Sequence, residues 1–224
     1  MAEPLRALPH DETLVTARRR QIFQAACRVL ARKSFHEASV KELALEAGLA
    51  AGSIYVYLKS KDDILILIAE SMVAEFTEQL PAIRERAGVD PRRELLEMMR
   101  AIVDVIDRYR EAFTVLHHEG RYLARRPEYR EPMRQIGKDY FGVILEVLER
   151  GRRDGVMRFE DSHSVVEAVH MMCSGWATGA NNLKGISKET YFRDIAAMID
   201  GRFTVHAGDS HGPNGVARAD RGPV

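Results

Sequence analysis

Residues 39–61 read SVKELALEAGLAAGSIYVYLKSK, and they decide how the rest of the chain is organised. Ser39 with Glu42 three residues later is the pattern that caps a helix N-terminus from both sides. Val40, Leu43 and Ala44 then share an apolar face, and Gly48 supplies the left-handed residue that stops the helix. A second short helix is expected over residues 51–58. Two short helices joined by a tight Gly-containing turn make a helix-turn-helix, whose second helix can enter a DNA major groove; an ordinary helical hairpin has the same spacing. Residue types tip the balance towards the former. Ala50, Ala51, Gly52 and Ser53 are small and allow close approach to base edges and phosphates. Tyr55 and Tyr57 offer hydroxyls for phosphate contacts, and Lys61 stands near the next helix N-terminus, where dipole and cation together favour an anion.

The surroundings of this stretch are basic. Residues 14–61 carry nine Lys/Arg against three Glu, a local charge of +6. The whole chain balances 33 Lys/Arg against 33 Asp/Glu, so the remainder carries −6. A basic head on an acidic body points to a polyanion partner for the head alone. At 224 residues and 46% hydrophobic, the chain is long enough for one large or two small domains with a real core. No apolar run approaches the roughly 20 residues that cross a bilayer, and the opening MAEPLRALPHDET lacks the apolar centre of a secretory signal. No membrane partner is therefore expected. Cys27 and Cys173 form neither a C-x-x-C pair nor a disulfide framework, so a cytoplasmic location is expected.

Beyond the head the periodicity is helical, with no sustained alternation of period two. The first helix is expected over 16–33, with Ile22, Phe23, Ala26, Val29 and Leu30 inward. Ser60 and Asp63 offer a second capping box for a long helix to about Leu80, and Asp90-Pro91 starts another in the favoured way. Helices over 112–125 and 129–153 follow; Ser162 or Ser164 can cap one reaching about Asn181, and Ser187 the last, to about Phe203. The expectation is an all-α chain of about nine helices. Residues 1–15 read as an N-terminal arm, 16–60 as the helix-turn-helix domain, 61–205 as a helical body and 206–224 as a Gly- and Pro-rich tail.

From Arg20 to Ile68 the sequence resembles the DNA-binding head of the TetR family of bacterial repressors. The elements A-G at 47–48, G-S-I-Y at 52–55, Y-L-K-S-K at 57–61 and D-D-I-L at 62–65 stand in register. The resemblance implies a homodimer whose two recognition helices read a pseudo-palindromic operator in double-stranded DNA. It also implies a C-terminal ligand-binding and dimerisation domain in which a small-molecule effector changes the separation of the heads. Carried over, Ser39 caps the second helix and touches a phosphate, Tyr55, Tyr57 and Lys61 clamp the backbone, and Ala51, Gly52 and Ser53 lie against base edges. Two positions depart from the pattern. Ser34 stands where the family usually has Gly, and Ala50 where it usually has a capping Ser or Thr, a loss of about 1 kcal/mol of local helix stability.

In the body, residues 165–177 (VVEAVHMMCSGWA) resemble the family's dimerisation and pocket-lining helix. Tyr191, Phe192, Ile195, Met198 and Ile199 on the last helix would complete a four-helix interface; the same stripes also suit an intramolecular core. Between 121 and 138, Arg121, Arg125, Arg126, Arg130, Arg134 and Lys138 face only Glu128 and Glu131. A basic rim beside a Met-rich core suits an amphipathic anion such as an acyl-coenzyme A thioester or fatty acid; the competing reading is a solvated face. Effector candidates are Met99, Val103, Phe113, His117, Arg121 and Arg130, with Arg134, Tyr140, Ile144, Met172 and Trp176 from the later helices. A neutral or cationic hydrophobe bound by a regulator of efflux or catabolism is the alternative, and a helical scaffold that binds no DNA a further one.

No metal, cofactor or catalytic residue is expected. His117 and His118 diverge by about 100° on a helix, and His163 and His170 lack a Cys or carboxylate at ligand spacing. The chain has no Gly-rich phosphate loop after a strand, no G-x-S-x-G and no H-E-x-x-H, so it does not read as an enzyme.

Overall fold

The computed structural model describes residues 12–179 and 182–203. Among these it has nine α-helices and no strand, so the fold is all-α. Helix α1 (Glu12–Leu30) begins four residues inside the stretch expected to be an arm; residues 1–11 and the tail over 206–224 lie outside the described residues. Ile22, Phe23, Ala25, Ala26 and Val29 are buried on its inner face. Helix α2 (Val40–Glu46) is capped by Ser39, whose hydroxyl oxygen accepts from the Glu42 amide at 3.2 Å. The Glu42 carboxylate goes to Lys33 at 2.8 Å. Gly48 has φ of 64°, the left-handed conformation anticipated after α2.

The helix expected over 51–58 is a single 3₁₀ turn, Ser53–Val56. The reason is local. Gly52 and Ala50 offer no side-chain acceptor for the first amides, and Ile54 and Val56 are β-branched. Buried Ile54 and Leu58 hold the turn on the core.

Helix α3 (Asp63–Thr77) opens with the Asp63 carboxylate accepting from the Lys59 and Ser60 amides at 2.5 and 3.0 Å. Ile64, Leu65, Leu67, Ile68, Ala69, Met72 and Phe76 are all buried. A helix apolar around most of its girth must be covered on several sides, and α3 packs on α1, α5, α6 and α7 as the spine shared by head and body. It ends at Thr77 rather than near Leu80, and a separate short helix, α4 (Leu80–Ala87), follows with Pro81 in its first turn. Next come α5 (Pro91–Arg108), α6 (Arg110–Leu123) and α7 (Pro127–Arg153). The last two are α8 (Ser162–Thr178) and α9 (Lys188–Phe203).

Asp90 caps α5, accepting from the Arg92 amide at 3.0 Å, and Ser187 bonds the Thr190 amide at 3.1 Å at the start of α9. The cap of α8 is Asp161, accepting from the Ser164 amide at 2.7 Å, in place of Ser162 or Ser164. A carboxylate gains more than a hydroxyl from a helix N-terminus.

Two polar pins lock the body. Glu94, 1% exposed, is held by Arg84 at 3.2 Å and by Arg150, which ties α4 and α7 to α5. Asp107 accepts from Trp176 Nε1 at 2.7 Å and pairs with Arg110 at 2.9 Å and Lys188 at 3.3 Å. Burial would raise the Asp107 carboxyl, but the hydrogen bonds from Trp176, Arg110 and Lys188 hold it below its ordinary range. Helices α8 and α9 approach closely at Gly175, where a Cβ would strike the Tyr191 hydroxyl. Met171 on α8 and Met198 on α9 remain more than half exposed.

Candidate DNA-binding head and effector cavity

Ser39, Ala50, Ala51, Gly52, Ser53 and Tyr55 are exposed, and Ser39 and Ala51 line one shallow groove with Lys41, Leu45 and Leu49. Tyr57 is half-buried against the core. Lys61 is not a free cation. Its ammonium donates to the His36 carbonyl at 2.9 Å and lies 4.7 Å from the Phe35 ring centre, so it staples the loop between α1 and α2. The basic excess is likewise partly spent inside the head. Arg28 and Arg32 bond Glu46 at 2.5 and 2.6 Å and hold its carboxyl below the ordinary range; Arg19 pairs with Glu70. Among the described residues Arg20, Lys41 and Lys59 have no acidic partner.

A cavity of 440 Å³ lies between α3, α5, α6, α7 and α8. Its walls are apolar: Met72 and Phe76 from α3, Ile102 and Ile106 from α5, Leu116 from α6, Met133 and Phe141 from α7. The polar lining is His117, Arg121, Tyr140, Glu167 and His170. Arg121 on α6 and Glu167 on α8 are exposed and stand at the rim. Among the described residues no acidic group pairs with Arg121. The size and character are those of a small-molecule site, a mostly apolar chamber with few polar groups.

Of the residues singled out in the sequence, Phe113, His117, Arg121 and Tyr140 line this cavity. Met99, Val103 and Ile144 are core residues outside its lining. Met172 and Trp176 also lie off it: Trp176 serves the Asp107 pin, and the Met172 carbonyl accepts from Tyr191 at 2.5 Å. Arg130 is exposed and Arg134 pairs with Glu131 at 2.8 Å, and neither lines the cavity. The basic rim thus reduces to Arg121. Missed were Met72, Phe76, Ile102 and Ile106, whose three-and-four spacing marks only a buried face, and His170, weighed solely as a metal ligand. Among the described residues no three His, Cys, Asp or Glu gather as a metal site.

His170 belongs to a hydrogen-bonded chain in the cavity wall. Its Nδ1 is 3.2 Å from the Tyr140 hydroxyl and its Nε2 3.4 Å from the hydroxyl of fully buried Ser174. Burial, with a smaller push from His117, takes the His170 pKa down to about 4, so the ring is neutral at pH 7. Burial also lowers His117, helped by His118 and Arg121, and raises Tyr140 well above its ordinary value.

The cavity and the head meet at one joint. Gly120, Arg121 and Ala124 at the end of α6 line the cavity. Just beyond, the Tyr129 hydroxyl lies 2.7 Å from Ser60 Oγ and donates to Asp63 Oδ1 at 2.9 Å. Arg126 pairs with Asp62 and stacks 5.1 Å from the Tyr129 ring centre, and Glu119 reaches His36 at 3.3 Å. The segment that follows the 3₁₀ turn is therefore bolted to the α6–α7 corner.

Residues 22–68 match the family model for bacterial regulatory proteins of the tetR family, and residues 88–178 match the tetracyclin repressor-like C-terminal domain. The chain belongs to the TetR family. This TetR-family regulator is 29% identical to the fatty acid metabolism regulator protein of Bacillus subtilis over 139 residues, 62% of this chain and 70% of that one. It is 21% identical to the HTH-type transcriptional repressor KstR2 of Mycolicibacterium smegmatis over 91% of this chain and 98% of that one. The crystal structure of the TetR-family regulator PfmR from Thermus thermophilus is similar in fold, with a TM-score of 0.65 at 23% identity, covering 81% of this chain and 97% of that one. TetR-family chains with a helix-turn-helix head are regulators of transcription, and that is the class of this protein. Among the described residues no helix is long and apolar enough to cross a membrane.

Proposed function

We propose that this chain binds a pseudo-palindromic operator as a homodimer and is released from it by an acyl-type amphipath, a fatty acid or acyl-coenzyme A thioester. The observation that carries the reading is the joint between cavity and head: the wall of an apolar chamber and the bolt on residues 60–63 are built by the same α6–α7 corner. Tyr129 and Arg126 fix the segment four residues after the recognition turn. An effector that binds better to a state with that corner displaced shifts the heads to a spacing that misfits the two half-sites. An apolar tail fills the chamber, and Arg121 at the rim holds an anionic end. The likeness to a fatty acid metabolism regulator supports the same effector class. Exposed Met198 supports α9 as part of the surface for the second copy. In this reading residues 16–60 bind DNA and 61–205 hold effector and partner.

The test starts from a random-sequence DNA library. Purified protein is expected to enrich a two-fold-related site, with affinity falling about 10³-fold or more between 50 and 200 mM salt, and palmitoyl-coenzyme A to dissociate the complex. Enrichment of no symmetric site would overturn the dimeric operator reading. Release by hydrophobic cations but not by acyl compounds would reassign the rim to Glu167 and the effector to the neutral or cationic class.

A further inference from the structure

An acyl tail explains the apolar walls but not the polar chain set into them. Tyr140 and His170 line the cavity, and behind them Ser174 is fully buried. A buried side-chain network is costly unless its members are satisfied, and among the described residues no buried side-chain polar atom lacks a partner. The imidazole supplies this by adopting either of two neutral forms. With the proton on Nε2, the ring donates to Ser174 and accepts from Tyr140, whose oxygen keeps free lone pairs. With the proton on Nδ1, the ring donates to Tyr140 and accepts from Ser174, so the Tyr140 O–H is free to donate. The wall thus presents an acceptor in one state and a donor in the other, at no cost in net charge. It offers no cation: the nearest fixed positive charge that lines the cavity, Arg121, is at the exposed rim. An anion buried against this pair would be stripped of water without a counter-ion, a heavy penalty. A hydroxyl or ketone oxygen meets neither problem.

We propose that the effector carries an uncharged oxygen, a ketone or hydroxyl, on its otherwise apolar body, and that this oxygen docks on the Tyr140–His170 pair in the cavity wall. The inference rests on reading the cavity as the effector site and narrows the ligand from any acyl chain to an oxygenated one. Because the pair serves both donors and acceptors, it selects for the presence of the oxygen more than for its oxidation state.

The test uses two matched probe series on the full chain, followed by calorimetry. One compares palmitate with its mid-chain and terminal hydroxy and keto derivatives; the other compares the neutral bicycle decalin with 2-decalone and 2-decalol. Expected is at least one oxygenated probe binding about tenfold more tightly than its unsubstituted parent, as one hydrogen bond to a buried neutral group provides. That preference, read as the ratio of derivative to parent affinity, should vanish in Tyr140→Phe. Ser174→Ala, which leaves the cavity lining untouched, should weaken it by severing the far end of the chain. The readout is a ratio between two probes on one protein, so a loss of stability alone does not move it. Equal binding of parents and derivatives in both series, or a preference that survives Tyr140→Phe, would overturn the inference. A preference confined to the bicycles would support it and instead overturn the acyl reading, and failure of both series to bind would overturn both.

Discussion

Tyr129→Phe isolates the joint between head and body. The ring is buried and stays; only the hydroxyl goes, and with it the contacts to Ser60 at 2.7 Å and Asp63 at 2.9 Å. A neutral hydrogen bond contributes about 1 kcal/mol and one to a charged group about 1.5–3 kcal/mol. Asp63 is not orphaned, since the Lys59 and Ser60 amides and the Ser60 hydroxyl still donate to it. The combined loss should therefore sit near the lower end, about 1.5 kcal/mol, which is roughly a tenfold change in a local opening equilibrium. Hydrogen exchange followed by mass spectrometry reads this directly. Peptides spanning 57–65 should exchange about tenfold faster than in the parent protein, while α5, with Met98 and Met99 at 0% exposure, should keep its protection. Unchanged exchange over 57–65 would show the bolt to be worthless. Equal acceleration throughout would show that it stabilises the whole fold and is no joint.

Glu94→Gln leaves Arg84 and Arg150 without their shared carboxylate; because both arginines reach solvent, urea unfolding should register a loss of about 3 kcal/mol or somewhat less, and no loss would mean the pin is merely tolerated. His170 gives a pH signature. A base whose folded pKa is depressed, here from 6.5 to about 4, stabilises fully above the unfolded value and less as pH falls through the window between them. Unfolding free energy should thus drop by about 2 kcal/mol from pH 7.5 to 5 on this group's account, His117 adding in the same direction, and His170→Gln should flatten the profile. Gly137 lines the cavity, and a Cβ there meets Phe141 at an ordinary 3.8 Å. Gly137→Leu should fill the chamber, abolish palmitate and decalone binding in calorimetry, and leave affinity for DNA intact; retained probe binding would locate the site elsewhere.

The sequence was most legible where local chemistry is decisive. Ser39, Gly48, Asp90-Pro91 and Ser187 cap as expected, because a cap depends on a few neighbouring residues, although only the Ser39 half of the Ser39–Glu42 box forms, the Glu42 carboxylate going to Lys33. It was least legible where tertiary geometry chooses among equals. Arg121, Arg130 and Arg134 are indistinguishable as letters, yet of the three only Arg121 lines the cavity, because which part of each helix faces the chamber is set by how the helices pack, which periodicity does not encode. Ser162 or Ser164 was expected to open α8, where Asp161 does. The recognition element shrank to one turn for a readable reason, the missing cap at Ala50, whereas His170 became visible as a cavity residue only once Tyr140 from another helix stood beside it.

Helix α3 has a consequence for anyone wishing to move this head onto another body. One continuous apolar cluster runs from Ile22 in α1 through Ile64, Ile68 and Phe76 to Val147 and Ile199. A cut after Ser60, where the helix-turn-helix pattern ends, would strip α1 of the surface it folds against and leave both pieces with exposed apolar faces. The workable seam lies after Thr77, in the two residues before α4. A chimera made there carries its own floor with it, and the receiving body must cover the apolar side of α3 that packs on α5, α6 and α7 as well as supply a corner that can grip residues 60–63.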